Sequence, residues 1–483
     1  RCCTQNGVRG GSATVHFPIW HQEIEDILVL KNNKGTEDNR VRKLDYSIQI
    51  SKLFYERFIK DEEITLFSPH DVPGLYESFG MPEFDELYEK YERSYKTPKT
   101  KIRAQELIGT LLKERAETGR IYIMNIDHCN THSSFKDKVY MSNLCQEITL
   151  PTTPVEHIDD ENGEIALCIL SAVNLGLIRD KHDLEELCDL SVRALDEIID
   201  YQEYPIVAAK QSAQSRRSLG IGYIGLAHYL AKNHVSYGDK EALELVDETT
   251  EAFQYYLLKA SNNLAQEKGQ CEYFEKTKYS DGILPIDTYK KDLDKIVKRK
   301  LSYDWKQLRK DIQEHGLRHS TLSAQMPSES SSVVSNATNG IEPPRDYLSV
   351  KKSKKGTLKQ IVPDYYRLKN FYTLLWDMPS NEGYINVVAT MQKYFDQAIS
   401  GNWSYNPENY TDGEVPISVM ANDLLTTYKL GWKTSYYQNT YDAKTDIDEP
   451  AHSVGWHDNQ PMKEREEFQS QEDYDDYCEA CMI

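Results

Sequence analysis

No stretch of this sequence is long and apolar enough to cross a bilayer. The longest candidate, IALCILSAVNLGLI (165–178), falls short of the ~20 residues a spanning helix needs and carries Ser171 and Asn174. No signal peptide is recognisable. The Asn-x-Ser/Thr matches at Asn336, Asn402 and Asn409 therefore read as chance, and the expected compartment is the cytoplasm. Excess positive charge is absent too. With 57 basic against 77 acidic residues the net charge is −20, which excludes nucleic acid as the main partner, because phosphate backbones select basic faces. A small phosphorylated ligand, needing only a local anion site, stays open. A disulfide framework is also missing: nine cysteines, an odd and irregularly spaced set without an export signal, point to reduced thiols with individual roles. No internal repeat is visible.

What is present is enough hydrophobic residue, 39%, for a sizeable core, in a chain long enough for several domains or one large barrel with appendages. The chain opens RCCTQNGVRGGSAT, without a methionine, and reads as a cut through a larger protein or as an end left by processing. Gly7, Gly10 and Gly11 imply a tight loop with Arg9 as a donor within it. GRIYIMNI (119–126) and EIALCIL (164–170) read as buried strands. Residues 184–200 read as a helix, with Leu184, Leu187, Cys188, Leu195, Ile198 and Ile199 on one stripe. Further helices are expected at 252–269, closing on Gly269, and at 419–431. Strands interleaved with helices over 1–441 imply a large α/β domain. Residues 442–483 are acidic and nearly free of aliphatic residues, and are expected to form a flexible tail.

Several motifs invite chemistry. GIGYIG (220–225) fits the dinucleotide fingerprint, but the preceding KQSAQSRRSL is not a strand, so close packing of a helix on small residues is the expected reason. In DHCNTH (127–132), His128, Cys129 and His132 have ligand-like spacing without a second ligand cluster, so no metal is expected. Cys188 reads as core. Cys478 and Cys481, a Cys-x-x-Cys on the acidic tail, are placed for thiol–disulfide exchange. Residues 320–344 gather hydroxyls after Pro327. A helix starting near Ser328 would offer free amides with Ser328, Ser330 and Ser331 to a phosphate, or the serine would merely cap it. Tyr436 and Tyr437 are adjacent, which among 33 tyrosines fits simple packing on a strand's two faces. In SNLCQEITLP (142–151), Asn143, Cys145 and Glu147 alternate. If the chain is extended there, an amide, a thiol and a carboxylate face one pocket.

Taken in order, QNGVRGG (5–11), LFSPHDVPGLY (66–76), SNLCQEI (142–148), GEIALCILSAVNLG (163–176), MPSESSS (326–332), NATNGIEPPR (336–345), YYQNT (436–440) and the cysteine-bearing tail resemble the large subunit of class I ribonucleotide reductases, of the bacterial and bacteriophage class Ia type. The resemblance implies a ten-stranded α/β barrel, with Cys145 as a thiyl radical on a finger loop near 142–148. That radical takes the 3′ hydrogen of a ribonucleoside diphosphate. Glu147 would be the base on the 3′ hydroxyl, Asn143 a hydrogen-bonding partner of the substrate hydroxyls, and Cys168 one of two reducing thiols. Leu144 and Gln146 complete the substrate loop, and Pro327, Ser328, Glu329, Ser330 and Ser331 would hold the phosphates. Ser330 stands where the family often has threonine.

The resemblance further makes Tyr436 and Tyr437 a stacked relay for a radical from a di-iron small (beta) subunit. It makes Gln5 and Arg9 part of a specificity loop, and Cys478 and Cys481 tail thiols recycled by thioredoxin or glutaredoxin. Here two residues separate the tail cysteines where relatives often have four. No cofactor is expected in this chain itself; ATP, dATP, dTTP and dGTP are the expected effectors of the complete enzyme. The ATP cone, the first barrel strands and the second reducing cysteine would precede Arg1. The expectation is a complementary N-terminal polypeptide, without which the chain is inactive. The alternatives are a non-catalytic fragment or a cysteine-nucleophile hydrolase with Cys145 attacking and Glu147 as base.

Overall fold

The computed structural model describes residues 4–5, 9–36, 40–353 and 356–442. The tail, with Cys478 and Cys481, lies outside the described residues. At the start, β1 (Thr4–Gln5) and β2 (Arg9–Gly10) pair antiparallel, with Gln5 opposite Arg9. Next, β3 (Thr14–Pro18) and β4 (Asp45–Ile50) run parallel. A separate antiparallel pair follows, β5 (Glu63–Leu66) with β6 (Thr100–Arg103). Strand β7 (Ile121–Asn125) lies parallel to β4 on the side away from β3. β8 (Ile169–Asn174) and β9 (Leu219–Ile224) are parallel, and β10 (Leu348–Ser353) and β11 (Gly356–Ile361) form an antiparallel hairpin. Last come β12 (Trp403–Tyr405), β13 (Thr434–Ser435), antiparallel to β7, and β14 (Gln438–Thr440), parallel to β12.

Single bridges join these pieces into one wall. Ile221 pairs with Ser323, and Gln325 with Ile399. The Tyr436 N–H donates to the Gly401 carbonyl, and the Trp403 N–H to that of Tyr437. The sideways order is therefore β8, β9, 321–325, 397–401, 434–438, β7, β4, β3. Every residue of β4, β7 and β9 is buried, as expected of largely parallel strands covered by helices. The helix Lys240–Lys268 packs on Lys181–Tyr201 and Glu382–Gln392. One buried carboxylate stitches the wall. Asp396 accepts the Tyr279 and Thr321 hydroxyls, both at 2.8 Å, and the Leu322 and Ser323 N–H groups, both at 2.9 Å.

The mixed α/β expectation and the helices are found, with longer boundaries: Lys181–Tyr201, Lys240–Lys268 capped by Gly269, and Ile417–Leu430 capped by Gly431. Three details differ. Leu187 and Ile198 are exposed while Leu184, Cys188, Leu195 and Ile199 are buried, so the packed stripe is narrower than read. The strand placed at 164–170 begins instead at Ile169, after a segment in which Ile165 and Leu167 face outward. GIGYIG is not on a helix: it is β9 and the turn after it. Gly222 is needed because a Cβ there would meet the Ala324 carbonyl oxygen at 2.6 Å, and Gly225 turns the chain at φ +75°.

Gly222→Ala is accordingly expected to force the two segments apart and cost about 1–3 kcal/mol. Urea unfolding reads this directly, and an unchanged midpoint would contradict so tight an approach.

Candidate active site

The wall surrounds a loop. The Asn143 N–H donates to the Ile148 carbonyl (3.1 Å), the Ile148 N–H to Asn143 Oδ1 (3.0 Å), and the Gln146 N–H to the Asn143 carbonyl (3.3 Å). Gln146 adopts φ 72°. Residues 143–148 therefore form a closed turn, not the extended stretch read from the alternation. The positive φ at Gln146 reverses the chain between Cys145 and Glu147.

Far-apart segments hold this turn. Thr14 Oγ1 donates to the Leu144 carbonyl (3.0 Å), Ser47 Oγ to Gln146 Oε1 (3.0 Å) and Thr434 Oγ1 to the Gln146 carbonyl (2.9 Å). The Ala398 N–H donates to the Glu147 carbonyl (2.9 Å). The Ser400 hydroxyl lies 2.5 Å from the Cys145 carbonyl and 3.1 Å from Glu147 Oε2, so one residue orients both the thiol's main chain and the carboxylate. Since Asn143 Oδ1 closes the turn, its amide nitrogen is the end suited to reach a ligand hydroxyl.

Beside the turn, Tyr122, Tyr436 and Tyr437 form a buried cluster apart from the main core, with Cys145 packed against it. The Tyr436 hydroxyl is 3.4 Å from Cys145 Sγ and 2.8 Å from the Tyr437 hydroxyl. The two rings have centroids 3.8 Å apart at 33°. They do not take opposite faces of a strand: they lie between β13 and β14 and stack. Arg120 Cζ sits 4.6 Å from the Tyr437 ring centroid, and its guanidinium is 3.7 Å from Asp45.

Cys168 immediately precedes β8, and Gln397 Nε2 donates to its sulfur at 3.8 Å. Burial pushes this thiol far above the usual thiol range; Gln397 partly offsets this, and the nearby Glu147 and Asp396 carboxylates add to it. A thiol so held keeps its proton, which suits hydrogen donation and not nucleophilic attack.

Pro327 and Glu329 share a cavity wall with Ser400, Tyr436 and Tyr437, so two sequence-distant candidate sets meet in one place. A helix does start beyond Ser328, at Glu329–Val334, but Ser328 does not cap it. Ser328 adopts φ 55°, is buried, and its hydroxyl lies 3.5 Å from the Met326 carbonyl. Ser330 and Ser331 stand in the first turn. Gln5 and Arg9, expected in a specificity loop, lie opposite each other in the β1–β2 pair. The histidines of DHCNTH have ordinary partners. His128 Nδ1 is 2.8 Å from the Trp432 carbonyl, and His132 lies between the Thr288 hydroxyl and the Gln392 carbonyl.

Sequence reading missed Ser400, Asn402, Glu342, Arg115 and Tyr122. Nothing in ISGNWSY marks Ser400 or Asn402, and NATNGIEPPR carried the resemblance without a role for Glu342, since these roles come from strand neighbours found only in the fold. Asn402 Oδ1 accepts the Tyr437 N–H (3.0 Å), and its Nδ2 donates to Glu342 Oε1 (3.2 Å), which also accepts the Tyr384 hydroxyl. Burial raises the Glu342 carboxyl from 4.5 to about 7. The native state thus binds this proton more tightly than the unfolded chain. The associated stability is full below about pH 4.5 and is lost as pH rises through about 7. Glu342→Gln is expected to flatten that slope, read as a smaller fall in melting temperature between pH 5 and 8 than in the parent chain.

Residues 1–438 match the ribonucleotide reductase barrel domain. The chain is 61% identical over 454 residues to the ribonucleoside-diphosphate reductase subunit alpha of Haemophilus influenzae, covering 93% of this chain and 60% of that protein. It is 57% identical to the ribonucleoside-diphosphate reductase 1 subunit alpha of Escherichia coli, with 92% and 59% covered. Against the subunit alpha of Enterobacteria phage T4 the identity is 46%, with 92% and 59% covered. The chain thus spans about 60% of the length of the curated relatives it matches. By the match over nearly all of its described length, this chain belongs to the ribonucleotide reductase family and carries its α/β barrel domain.

Proposed function

We propose that this chain is the catalytic part of the large subunit of a ribonucleoside-diphosphate reductase. One observation carries the reading: the unbroken contact line from the Tyr437 hydroxyl through the Tyr436 hydroxyl to Cys145 Sγ, at 2.8 and 3.4 Å, ending on a turn that also presents Glu147. A stacked tyrosine pair in contact with a thiol is of little use to a hydrolase, but it suits hydrogen-atom transfer. Cys145, oxidised through the pair by the radical of a di-iron small subunit, takes the 3′ hydrogen of the substrate. Glu147 takes the 3′ hydroxyl proton while Asn143 holds the hydroxyls, and the 2′ hydroxyl leaves as water. Two thiols, Cys168 and a second cysteine, supply the two reducing equivalents and become a disulfide, and the 3′ carbon recovers its hydrogen from Cys145, which is left as the thiyl radical. The main chain of Leu144 and Gln146 shapes the loop, and Pro327, Ser328, Glu329, Ser330 and Ser331 face the diphosphate.

The remaining assignments rest on the family. Gln5 and Arg9 belong to the specificity loop answering to ATP, dATP, dTTP and dGTP. Cys478 and Cys481, in a tail beginning near residue 442, relay electrons from thioredoxin or glutaredoxin, and the enzyme is cytoplasmic.

The test is CDP reduction by the complete large subunit containing this chain, with the small subunit, a dithiol and ATP. Deoxycytidine diphosphate formed only when all are present supports the proposal. No turnover with all of them present removes the catalytic assignment.

A further inference from the structure

One buried charge is unused by this reading. Arg115, in the helix Ala104–Thr118, is fully buried, and among the described residues no carboxylate lies within ion-pairing distance of it. Its guanidinium donates to the main-chain carbonyls of Tyr436 (2.8 Å) and Tyr437 (3.2 Å), and to that of Ile121, one residue before Tyr122. Its Cζ is 4.6 Å from the Trp403 ring centroid. Filling this space needs no charge, because an apolar side chain of similar volume packs a buried site without the desolvation cost of an uncompensated cation. Arg120, over the Tyr437 ring, differs in having Asp45 nearby. Glu342, through Asn402, holds the Tyr437 N–H.

We infer that Arg115 is a positioning residue for radical transfer: it clamps the main chain of both tyrosines, and as an uncompensated cation beside them it forces the electron and the proton to move together. The inference rests on the proposed function. The steps balance as hydrogen-atom transfers. The Tyr437 phenoxyl takes the hydrogen of the Tyr436 hydroxyl, breaking one O–H bond and forming another. The Tyr436 phenoxyl then takes the hydrogen of Cys145, breaking S–H and forming O–H. The small-subunit radical starts the sequence. If an electron left a ring ahead of its proton, a cationic ring would stand beside a buried guanidinium at low dielectric, and repulsion there is strong. The concerted route creates no such charge.

The experiment uses Arg115→Met and Arg115→Lys in the complete enzyme and, separately, in the chain alone. With Arg115→Met, kcat is expected to fall roughly 10–100-fold, the cost of a misplaced reacting pair, with KM for CDP unchanged. The solvent deuterium effect on kcat should shrink, because electron and proton are no longer compelled to move together. Arg115→Lys, which keeps the charge but not the fork, should recover part of kcat and the full deuterium effect. In a crystal structure of the Arg115→Met chain, the Tyr436–Tyr437 centroids should no longer lie 3.8 Å apart. Unchanged kcat, equal losses in kcat and KM, or rings still in register would each overturn the inference. If the parent enzyme fails to reduce CDP, the functional reading has failed, and the ring geometry still decides the clamp.

Discussion

Replacing Cys145 by serine is expected to leave a folded chain that cannot reduce CDP at any pH. The substitution is nearly isosteric, and the loop's anchors from Thr14, Ser47, Ser400 and Thr434 reach main chain, Gln146 or Glu147, not the sulfur. Stability should therefore change by no more than about 1 kcal/mol. Chemistry is another matter. A phenoxyl on Tyr436 can take hydrogen from a thiol but not usefully from an alcohol, whose O–H bond is much stronger. A barrier raised by only about 5 kcal/mol already removes more than a thousandfold in rate. The measurement is dCDP formation in the complete enzyme alongside a melting curve of the chain. Residual turnover within tenfold of the parent would show that Cys145 is not the hydrogen carrier.

The second large effect is expected at Tyr436→Phe. Phenylalanine keeps the ring, and with it the 3.8 Å stacking on Tyr437 and the contact with Tyr122. Only the hydroxyl standing between Tyr437 and Cys145 is lost. The stability cost should be about 1–2 kcal/mol, the worth of the one or two hydrogen bonds this hydroxyl makes. Activity should fall to background, because phenylalanine has no O–H bond to break and the remaining gap must be crossed in one step. CDP binding, read by equilibrium dialysis, should stay within about twofold, since a shift of 0.4 kcal/mol is only a factor of two. If Tyr436→Phe turned over normally, the tyrosine line would be packing and not a path.

These two residues were legible in the sequence only through the motifs around them. Alternation in SNLCQEI pointed to a shared pocket for Asn143, Cys145 and Glu147 but implied an extended chain. The turn depends on Gln146 at positive φ, held by Ser47 and Thr434 from strands that sequence spacing does not bring near. Periodicity located the long helices, because their faces repeat within the chain. It failed at β9, where Gly222, in a motif that suggests a helix contact, is instead required by the Ala324 carbonyl across the wall. It also failed at Ser400, Asn402 and Arg115, whose importance lies entirely in what lies opposite them. Local pattern reports local structure, and the site is assembled from contacts between segments 99 to 291 residues apart.

The anchoring of the loop at 143–148 has a consequence for how the molecule matures. Its ties run to Thr14, 130 positions away, to Ser400, 255 away, and to Tyr436, 291 away. Loop closure over such separations is slow and comes after local helices have formed. Strand neighbours from both ends of the chain must arrive before Cys145 meets Tyr436. A half-folded chain therefore carries the thiol and the tyrosines without any route between them, and the capacity to hold a radical is acquired last.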